Sequence, residues 1–147
     1  MKLKINPKEG IGELLFGMKQ PHVENILGKP DTQYKDEDKN IIYLYNAYKL
    51  RLTFYEDEDF RLGYMVTSHP DAELFGAQVI GKNTKEVLSQ IPQKLVKEWE
   101  NSYDEGLLNV FNEDNWIMLI SEFDEIVKVE VGAIINRNDE FDWKFKL

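Results

Sequence analysis

Apolar and polar residues alternate along several segments of the chain, as they do in β-strands that have one buried face. In residues 48–55, Leu50, Leu52 and Phe54 fall on one face, and the charged or hydroxylated side chains fall on the other. Similar segments follow at residues 60–68, 107–111, 116–121 and 126–135. Turn-forming residues separate them, so we predict two antiparallel meanders, with a short strand before them at 2–5 and another after them at 140–147.

Two other segments have the spacing of short amphipathic helices. Their apolar positions are Val23, Ile26 and Leu27 in the first, and Val87, Leu88 and Ile91 in the second. The first is predicted to end at Gly28, and the second to begin at Asn83, whose side chain can cap it, and to end at Pro92. Apolar spacing also predicts a further helical segment over residues 93–100.

The chain contains an internal repeat with an offset of 64 residues. Gly12, Gly17 and Val23 recur as Gly76, Gly81 and Val87, and Leu15, Phe16 and Leu27 correspond to Val79, Ile80 and Ile91. We place the first repeat at about 10–70 and the second at about 76–136. The predicted fold class is α+β, in which two tandem helix-plus-meander repeats pack as a single domain, with the helices on one face of the sheet.

Composition and charge narrow the classes of function. With 42% hydrophobic residues the chain has the composition of a globular protein, and the absence of Cys excludes disulfides, a thiol nucleophile and Cys-ligated zinc. A net charge of −9 disfavours binding to a nucleic-acid backbone. No apolar run reaches the ~18 residues that span a membrane, and the first residues lack the apolar core of a signal peptide. We therefore expect a cytoplasmic protein.

The first repeat opens with a motif that resembles the start of BamE-like domains. Residues 10–18 read GIGELLFGM, Val23 follows in the helix, and residues 27–30 read LGKP. The second copy departs from the motif, with Lys82 at the Met position and Pro92 at the Gly position. The resemblance, which extends to the tandem β-lactamase inhibitor proteins and to small acidic toxin-immunity proteins, implies a module that binds other proteins.

A long acidic stretch supplies the candidate partner-binding surface. Between Lys97 and Lys128 there is no basic residue. If the turn at 112–115 and the loop at 103–106 meet on one surface, their negative charge would speed the encounter with a cationic protein. Two aromatic residues would anchor the contact. The candidate residues are Glu98, Glu100, Tyr103, Asp104, Glu105, Glu113, Asp114, Trp116, Glu122, Asp124 and Glu125. The alternative is an ordinary solvated surface with Trp116 in the core.

Three other groups of residues invite a chemical interpretation. The sequence Ser68-His69-Pro70-Asp71 contains a nucleophile, a base and an acid, but neighbouring residues of a strand point to opposite faces. The acidic run at 56–59 lacks the spacing of a calcium loop and is expected to be a hairpin turn. The third group consists of Tyr43, Tyr45, Tyr48 and Tyr55. It is either a second candidate binding surface or a set of ordinary sheet positions, which favour Tyr.

These observations favour a non-catalytic protein-binding module over an enzyme. Our leading hypothesis is an immunity-type inhibitor that neutralises a basic bacterial toxin, such as a nuclease, by covering it with an acidic surface. The alternative is a small-ligand or scaffold module that uses a Tyr- and Trp-lined pocket between sheet and helices. We expect a cationic protein partner, a monomer or weak dimer, and no cofactor, metal, nucleic acid or membrane.

Overall fold

The computed structural model describes residues 1–147 and contains thirteen strands and two α-helices. The first half contains β1 (Lys4–Asn6), β2 (Gly10–Ile11), β3 (Leu14–Leu15), α1 (Gln20–Leu27), β4 (Thr32–Lys35), β5 (Ile41–Tyr45), β6 (Leu50–Tyr55) and β7 (Arg61–Thr67). The second half contains β8 (Glu73–Leu74), β9 (Ala77–Gln78), α2 (Thr84–Gln90), β10 (Glu100–Asp104), β11 (Leu107–Asn112), β12 (Ile117–Glu122) and β13 (Glu125–Gly132). Single 3-10 turns follow β5 and β6, at Asn46–Tyr48 and Glu56–Glu58.

The two meanders join into one eight-stranded sheet with the order β10-β11-β12-β13-β7-β6-β5-β4. The junction is the antiparallel pair β13–β7, in which Val129 lies opposite Thr67 and Val131 opposite Met65. A second, five-stranded sheet has the order β3-β2-β1-β8-β9, and β1 runs parallel to β8. Each sheet therefore contains strands from both halves of the chain.

The two meanders share a β-bulge at the same place, which gives a residue-by-residue correspondence between them. In the first, Thr53 pairs with Tyr64 and Phe54 with Leu62, which leaves Gly63 without a partner. In the second, the pairs are Ile120 with Lys128 and Ser121 with Ile126, which leaves Val127 without a partner. Bulges of this kind are specific structural features. Each half also contains a hairpin, a helix and four strands in the same order. The repeat boundaries at 10–70 and 76–136 stay predictions.

One face of the eight-stranded sheet builds the core. Alternate residues of the central strands, such as Leu52, Met65, Val131 and Leu119, are completely buried. They belong to a cluster of 26 buried residues that also contains Val23 of α1, Val87 of α2 and apolar residues of the small sheet. The helices and the small sheet thus share one core with the inner face of the large sheet.

The predicted α+β class is wrong, because the fold is mostly β, with 41% strand and 14% helix. The helices have only eight and seven residues, while the expected single sheet is accompanied by a second sheet of five strands. Those strands are two or three residues long, and of them only β1 was predicted, as the strand at 2–5. The sheet is completed by the pairing of β1 with β8, two segments that are distant in sequence. The predicted ends of both helices and the Asn83 cap, which accepts a hydrogen bond from the Glu86 N–H, are confirmed.

The predicted helix over residues 93–100 does not form. Its backbone carbonyls are instead bound by side-chain amides from the sheet: Asn112 donates to the Glu98 carbonyl at 2.7 Å and Asn115 donates to the Leu95 carbonyl at 3.2 Å. The side chain of Val96 is buried, whereas Leu95 is exposed. Because the carbonyls have these partners, an extended connection to β10 satisfies the backbone without a helix.

The C-terminal residues predicted as a strand at 140–147 form an irregular strap instead. Its backbone joins the rest of the fold through the Phe145 N–H, which donates to the Phe16 carbonyl at 2.8 Å. The ring of Phe141 stacks on that of Trp143 at 4.7 Å, and the ring of Phe145 lies 4.6 Å from His22. The alternation of aromatic residues thus reflects a packed strap and not a sheet edge.

Gly17 allows this strap to approach the fold, and its counterpart Gly81 provides a control. Both have positive φ, +103° and +82°, but a Cβ on Gly17 would lie 2.8 Å from the Phe145 carbonyl oxygen, whereas nothing lies within 4 Å of a Cβ on Gly81. We expect Gly81→Ala to cost about 1–2 kcal/mol of unfolding free energy from backbone strain alone. Gly17→Ala should cost at least about 1 kcal/mol more because of the clash. Urea denaturation measures both, and equal losses would contradict the packing of the strap.

Candidate functional site

The predicted acidic residues lie at the two ends of the second meander and not on one surface. The loop at 103–106 and the turn at 112–115 lie at opposite ends of β11, since Asp104 pairs with Leu107 while Asn112 pairs with Ile117. One end carries Tyr103, Asp104, Glu105, Glu122, Asp124 and Glu125; the other carries Glu98, Glu100, Glu113, Asp114 and Trp116. The condition that the loop and the turn meet on one surface is therefore not met, although each end combines carboxylates with an aromatic residue.

At the first end, two hairpin turns are neighbours, because β11 of one hairpin pairs with β12 of the other. Glu105 and Gly106 connect β10 to β11, and Phe123 and Asp124 connect β12 to β13. All four residues have positive φ, between 49° and 83°, as in the two-residue turns that follow the twist of a hairpin. We call the residues Tyr103–Glu105 and Glu122–Glu125 the acidic tip.

The acidic tip is held by the start of α2. The Thr84 N–H donates to the Asp124 carbonyl at 2.9 Å, and the Thr84 hydroxyl donates to the same oxygen at 3.2 Å. Further along, the Ile126 N–H donates to the Lys82 carbonyl at 3.0 Å. The backbone of the turn is therefore fixed, while the side chains of Glu122, Asp124 and Glu125 remain exposed.

Phe123 is the most exposed large apolar residue of the chain, and the sequence analysis missed it as a site residue. Its side chain is 91% exposed, and the nearby Tyr103 is 80% exposed. Its φ of 50° belongs to a region where Asn or Gly is preferred and a Phe costs energy. The one signal in the sequence was an aromatic residue inside a predicted turn. Unburied apolar surface on a strained backbone marks a candidate binding anchor.

At the other end, Trp116 has a structural role as well as a position beside a cavity. Its ring makes edge contacts with Tyr64 at 5.2 Å and Phe111 at 5.0 Å, and lies directly over Gly132. The ring is half-buried on the outer face of the sheet. A cavity of about 460 Å³ beside it is lined by Phe111, Glu113, Asp114, Trp116, Ile134 and Ile135. Trp116 is thus fixed by packing and is less available as an anchor than Phe123.

The outer face of the large sheet also carries a basic groove of about 240 Å³. Lys49, Arg51 and Lys128 line it together with Ser68, and none of its lining residues is acidic. Glu130 lies nearby, two strands from Arg51; burial raises the pKa of its carboxyl, which the charge of Arg51 partly opposes. The protein therefore has one positive groove despite its net charge of −9, and a cationic partner would be repelled there.

The possible catalytic group at residues 68–71 is not assembled. The Nδ1 atom of His69 accepts a hydrogen bond from the Asp71 N–H at 3.0 Å and lies 3.9 Å from the Asp71 carboxylate, so the ring faces Asp71 and not Ser68. Ser68 makes no hydrogen bond to His69; its N–H donates to the Lys49 carbonyl. The motif ends strand β7 and shapes the loop that follows it.

The acidic run at 56–59 forms a turn whose last carboxylate is paired. Lys19 binds Asp59 at 2.6 Å, and this hydrogen bond together with the Lys19 charge lowers the pKa of the Asp59 carboxyl. No group of three or more His, Cys, Asp or Glu side chains is arranged to hold a metal ion. Neither helix is long and apolar enough to cross a membrane.

The tyrosines at 43, 45, 48 and 55 do not form a surface. Tyr43 and Tyr45 are buried, and the hydroxyl of Tyr45 donates to the Gly28 carbonyl. Tyr48 receives a hydrogen bond from the N-terminal amine, and the ring of Tyr55 covers Gly63. Their role is packing, as the alternative interpretation predicted.

The comparisons with known proteins show the fold alone. No protein-family model and no curated protein matches the chain. An extracellular SCP-domain-containing protein from Bacillus anthracis str. Ames has a TM-score of 0.57 at 13% identity, over 97% of this chain and 56% of that one. A cysteine-rich secretory protein from Staphylococcus aureus subsp. aureus Mu50 has a TM-score of 0.53 at 13% identity, over 84% and 44%. The chain spans about half the length of these two proteins.

Two expectations are corrected by these neighbours. They are SCP-domain-containing proteins, so the BamE-like, lactamase-inhibitor and immunity-protein resemblance is wrong. Its motif covered a hairpin, a turn and a helix of eight residues, which do not define the sheets around them. The neighbours are described as extracellular or secretory, which points away from the expected cytoplasmic location.

Replacing the exposed Phe123 tests whether it is a free anchor. Phe123→Asn should raise the free energy of unfolding by about 0.5–1 kcal/mol, because Asn tolerates positive φ and almost no packing is lost. Tyr103→Asn is the control, since Tyr103 lies in regular strand and gains nothing from Asn. Urea denaturation measures both; a less stable Phe123→Asn protein would mean that the ring packs against the monomer.

Proposed function

We propose that the chain is a non-catalytic protein-binding module that engages a cationic segment of its partner through the acidic tip. The observation that carries the proposal is the Phe123 side chain, 91% exposed on a backbone of positive φ. A folding requirement does not account for such a residue, whereas a binding anchor does. The toxin-immunity form of the hypothesis is dropped with the resemblance on which it rested.

The charges around Phe123 define the chemistry of the partner. Five exposed carboxylates lie on the same two hairpin ends as the exposed rings of Phe123 and Tyr103, namely Asp104, Glu105, Glu122, Asp124 and Glu125. Lys or Arg side chains of a partner would pair with them at the rim, and this pairing would mainly raise the association rate. The rings of Phe123 and Tyr103 would be covered by apolar parts of the same segment, which would mainly slow dissociation.

The descriptions of the two structural neighbours direct the search for this partner. Both are described as extracellular or secretory proteins, so secreted and cell-surface proteins with exposed basic segments are the first candidates. Binding by a fixed hairpin end also requires no rearrangement of the module, because the turn is already held by the start of α2.

A pair of charge-reversal variants tests the acidic tip against the other acidic end. The tip variant changes Asp104, Glu105, Glu122 and Glu125 to Lys, and the control changes Glu98, Glu100, Glu113 and Asp114 to Lys, so both alter net charge equally. The probe is a fluorescein-labelled peptide of alternating arginine and leucine, with binding followed by anisotropy. We expect the tip variant to lose about tenfold or more in affinity and the control to lose much less.

Phe123→Ala separates anchoring from charge in the same assay. It should speed dissociation of the arginine–leucine peptide and leave the association rate and its salt dependence nearly unchanged. Equal losses in the two charge-reversal variants would contradict the proposal, because they would show attraction by net charge without a defined site. Unchanged dissociation from Phe123→Ala would contradict the anchor role.

A further inference from the structure

A cavity of about 250 Å³ lies between α2 and the outer strands of the second meander. Its apolar wall is formed by Leu88, Leu108 and Val110, and Thr84, Asn101 and Asp124 contribute to its polar rim. We call it the α2 cavity. Asn101 lies on β10 directly opposite Val110, so the amide and the apolar wall occupy the same face of the sheet.

The shared β-bulge identifies the place in the first repeat that corresponds to this cavity. The bulge follows Thr53 in β6 and Ile120 in β12, so these two residues are equivalent. One position earlier, Leu52 is therefore equivalent to Leu119. Leu52 is paired with Tyr43, and Leu119 is paired with Val110. The counterpart of Val110 at the wall of the α2 cavity is therefore Tyr43, a residue with a far larger side chain.

In the first repeat the same space is filled. The Tyr43 ring makes an edge contact with Phe54 at 4.9 Å. Its hydroxyl accepts a hydrogen bond from Gln20 at 2.8 Å and donates one to Glu24 at 2.9 Å. Burial, helped by Glu24 and partly opposed by Gln20, raises the pKa of Tyr43 to about 12. The ring is thus wedged between α1 and the sheet and is only 1% exposed.

In the second repeat every member of that group is replaced by a smaller or less polar residue. Gln20 corresponds to Thr84, Glu24 to Leu88, Phe54 to Ser121 and Tyr43 to Val110. The Thr84 and Ser121 hydroxyls bond to each other at 2.6 Å. Three of the four replacements, Thr84, Leu88 and Val110, line the α2 cavity, so it lies where the Tyr43 ring meets α1 in the first repeat. Protein interiors are normally close-packed, so a space of this size is a candidate ligand site.

We propose that the α2 cavity binds a small uncharged aromatic molecule about the size of a phenol, in the place that the Tyr43 side chain fills in the first repeat. The apolar wall would contact the ring on the Leu88 and Val110 side. The hydroxyl of the ligand would point away from α2, opposite to the Tyr43 hydroxyl of the first repeat, and would bond at the rim to the exposed side chain of Asn101. Lys85 and Asp124 at the rim carry opposite charges, and an uncharged ligand avoids the cost of placing a charge against the apolar wall.

The probe for this site is p-cresol, which is the side chain of tyrosine as a free molecule. We expect saturable binding to the wild-type protein, with amide chemical shifts changing in α2, β10 and β11 in NMR spectra. Val110→Tyr restores the residue of the first repeat and should weaken p-cresol binding at least tenfold, while the melting temperature stays equal or rises. Non-saturable shifts in the wild type, or unchanged binding in Val110→Tyr, would overturn the proposal.

A second cavity-filling variant, a control variant and a second ligand make the test independent of the Val110→Tyr substitution. Leu88→Phe fills the α2 cavity from the helix side and should also weaken binding, which matters if Val110→Tyr does not fold. Val66→Ile, on the outer face of the sheet, is the control and should leave p-cresol affinity unchanged. Toluene lacks the hydroxyl and should bind more weakly than p-cresol; equal affinities would overturn the role assigned to Asn101.

Discussion

The pairing of β7 with β13 is the contact on which the rest of the structure depends. It unites two meanders that each have one apolar face into a single sheet with one continuous core. A four-stranded meander covered by a helix of seven or eight residues would leave much of its apolar face in water. Joining the last strands of both meanders also leaves β4 and β10 as the two edges, and every residue of these two strands is exposed. The acidic tip lies at one end of this second edge.

Because the shared scaffold supplies stability, the two halves can carry different side chains at equivalent positions. The first half fills the space under its helix with Tyr43 and Phe54, whereas the second leaves a cavity between Leu88 and Val110. The hairpin turns differ in the same way. The turn after β6 is longer and its Asp59 is bound by Lys19, while the turn after β12 holds Phe123 in the solvent. Both candidate sites therefore lie in the second half.

The sequence predicted those elements whose signal is local. The five longest strands (β6, β7, β11, β12 and β13), both helix ends and the Asn83 cap were readable from alternation, Gly28, Pro92 and capping chemistry, whereas β4, β5 and β10 of the large sheet were not predicted. The five-stranded sheet was not, since its strands have two or three residues and β1 pairs with β8, far along the chain. The acidic residues of the candidate site were visible in the sequence. Their division between the two ends of the second meander depended on the directions of its strands. Phe123 and the α2 cavity required the register and the exposure of individual side chains.

Native-state hydrogen exchange of the β7 and β13 amides tests the central pairing most directly. If this pairing holds the two meanders together, the bonded amides of Met65, Thr67, Val129 and Val131 should exchange only through global unfolding, with one common free energy. Amides of the edge strands β4 and β10 should exchange much faster. The account is contradicted if the β7–β13 amides exchange as fast as those edges, or if the two halves of the chain show separate unfolding free energies.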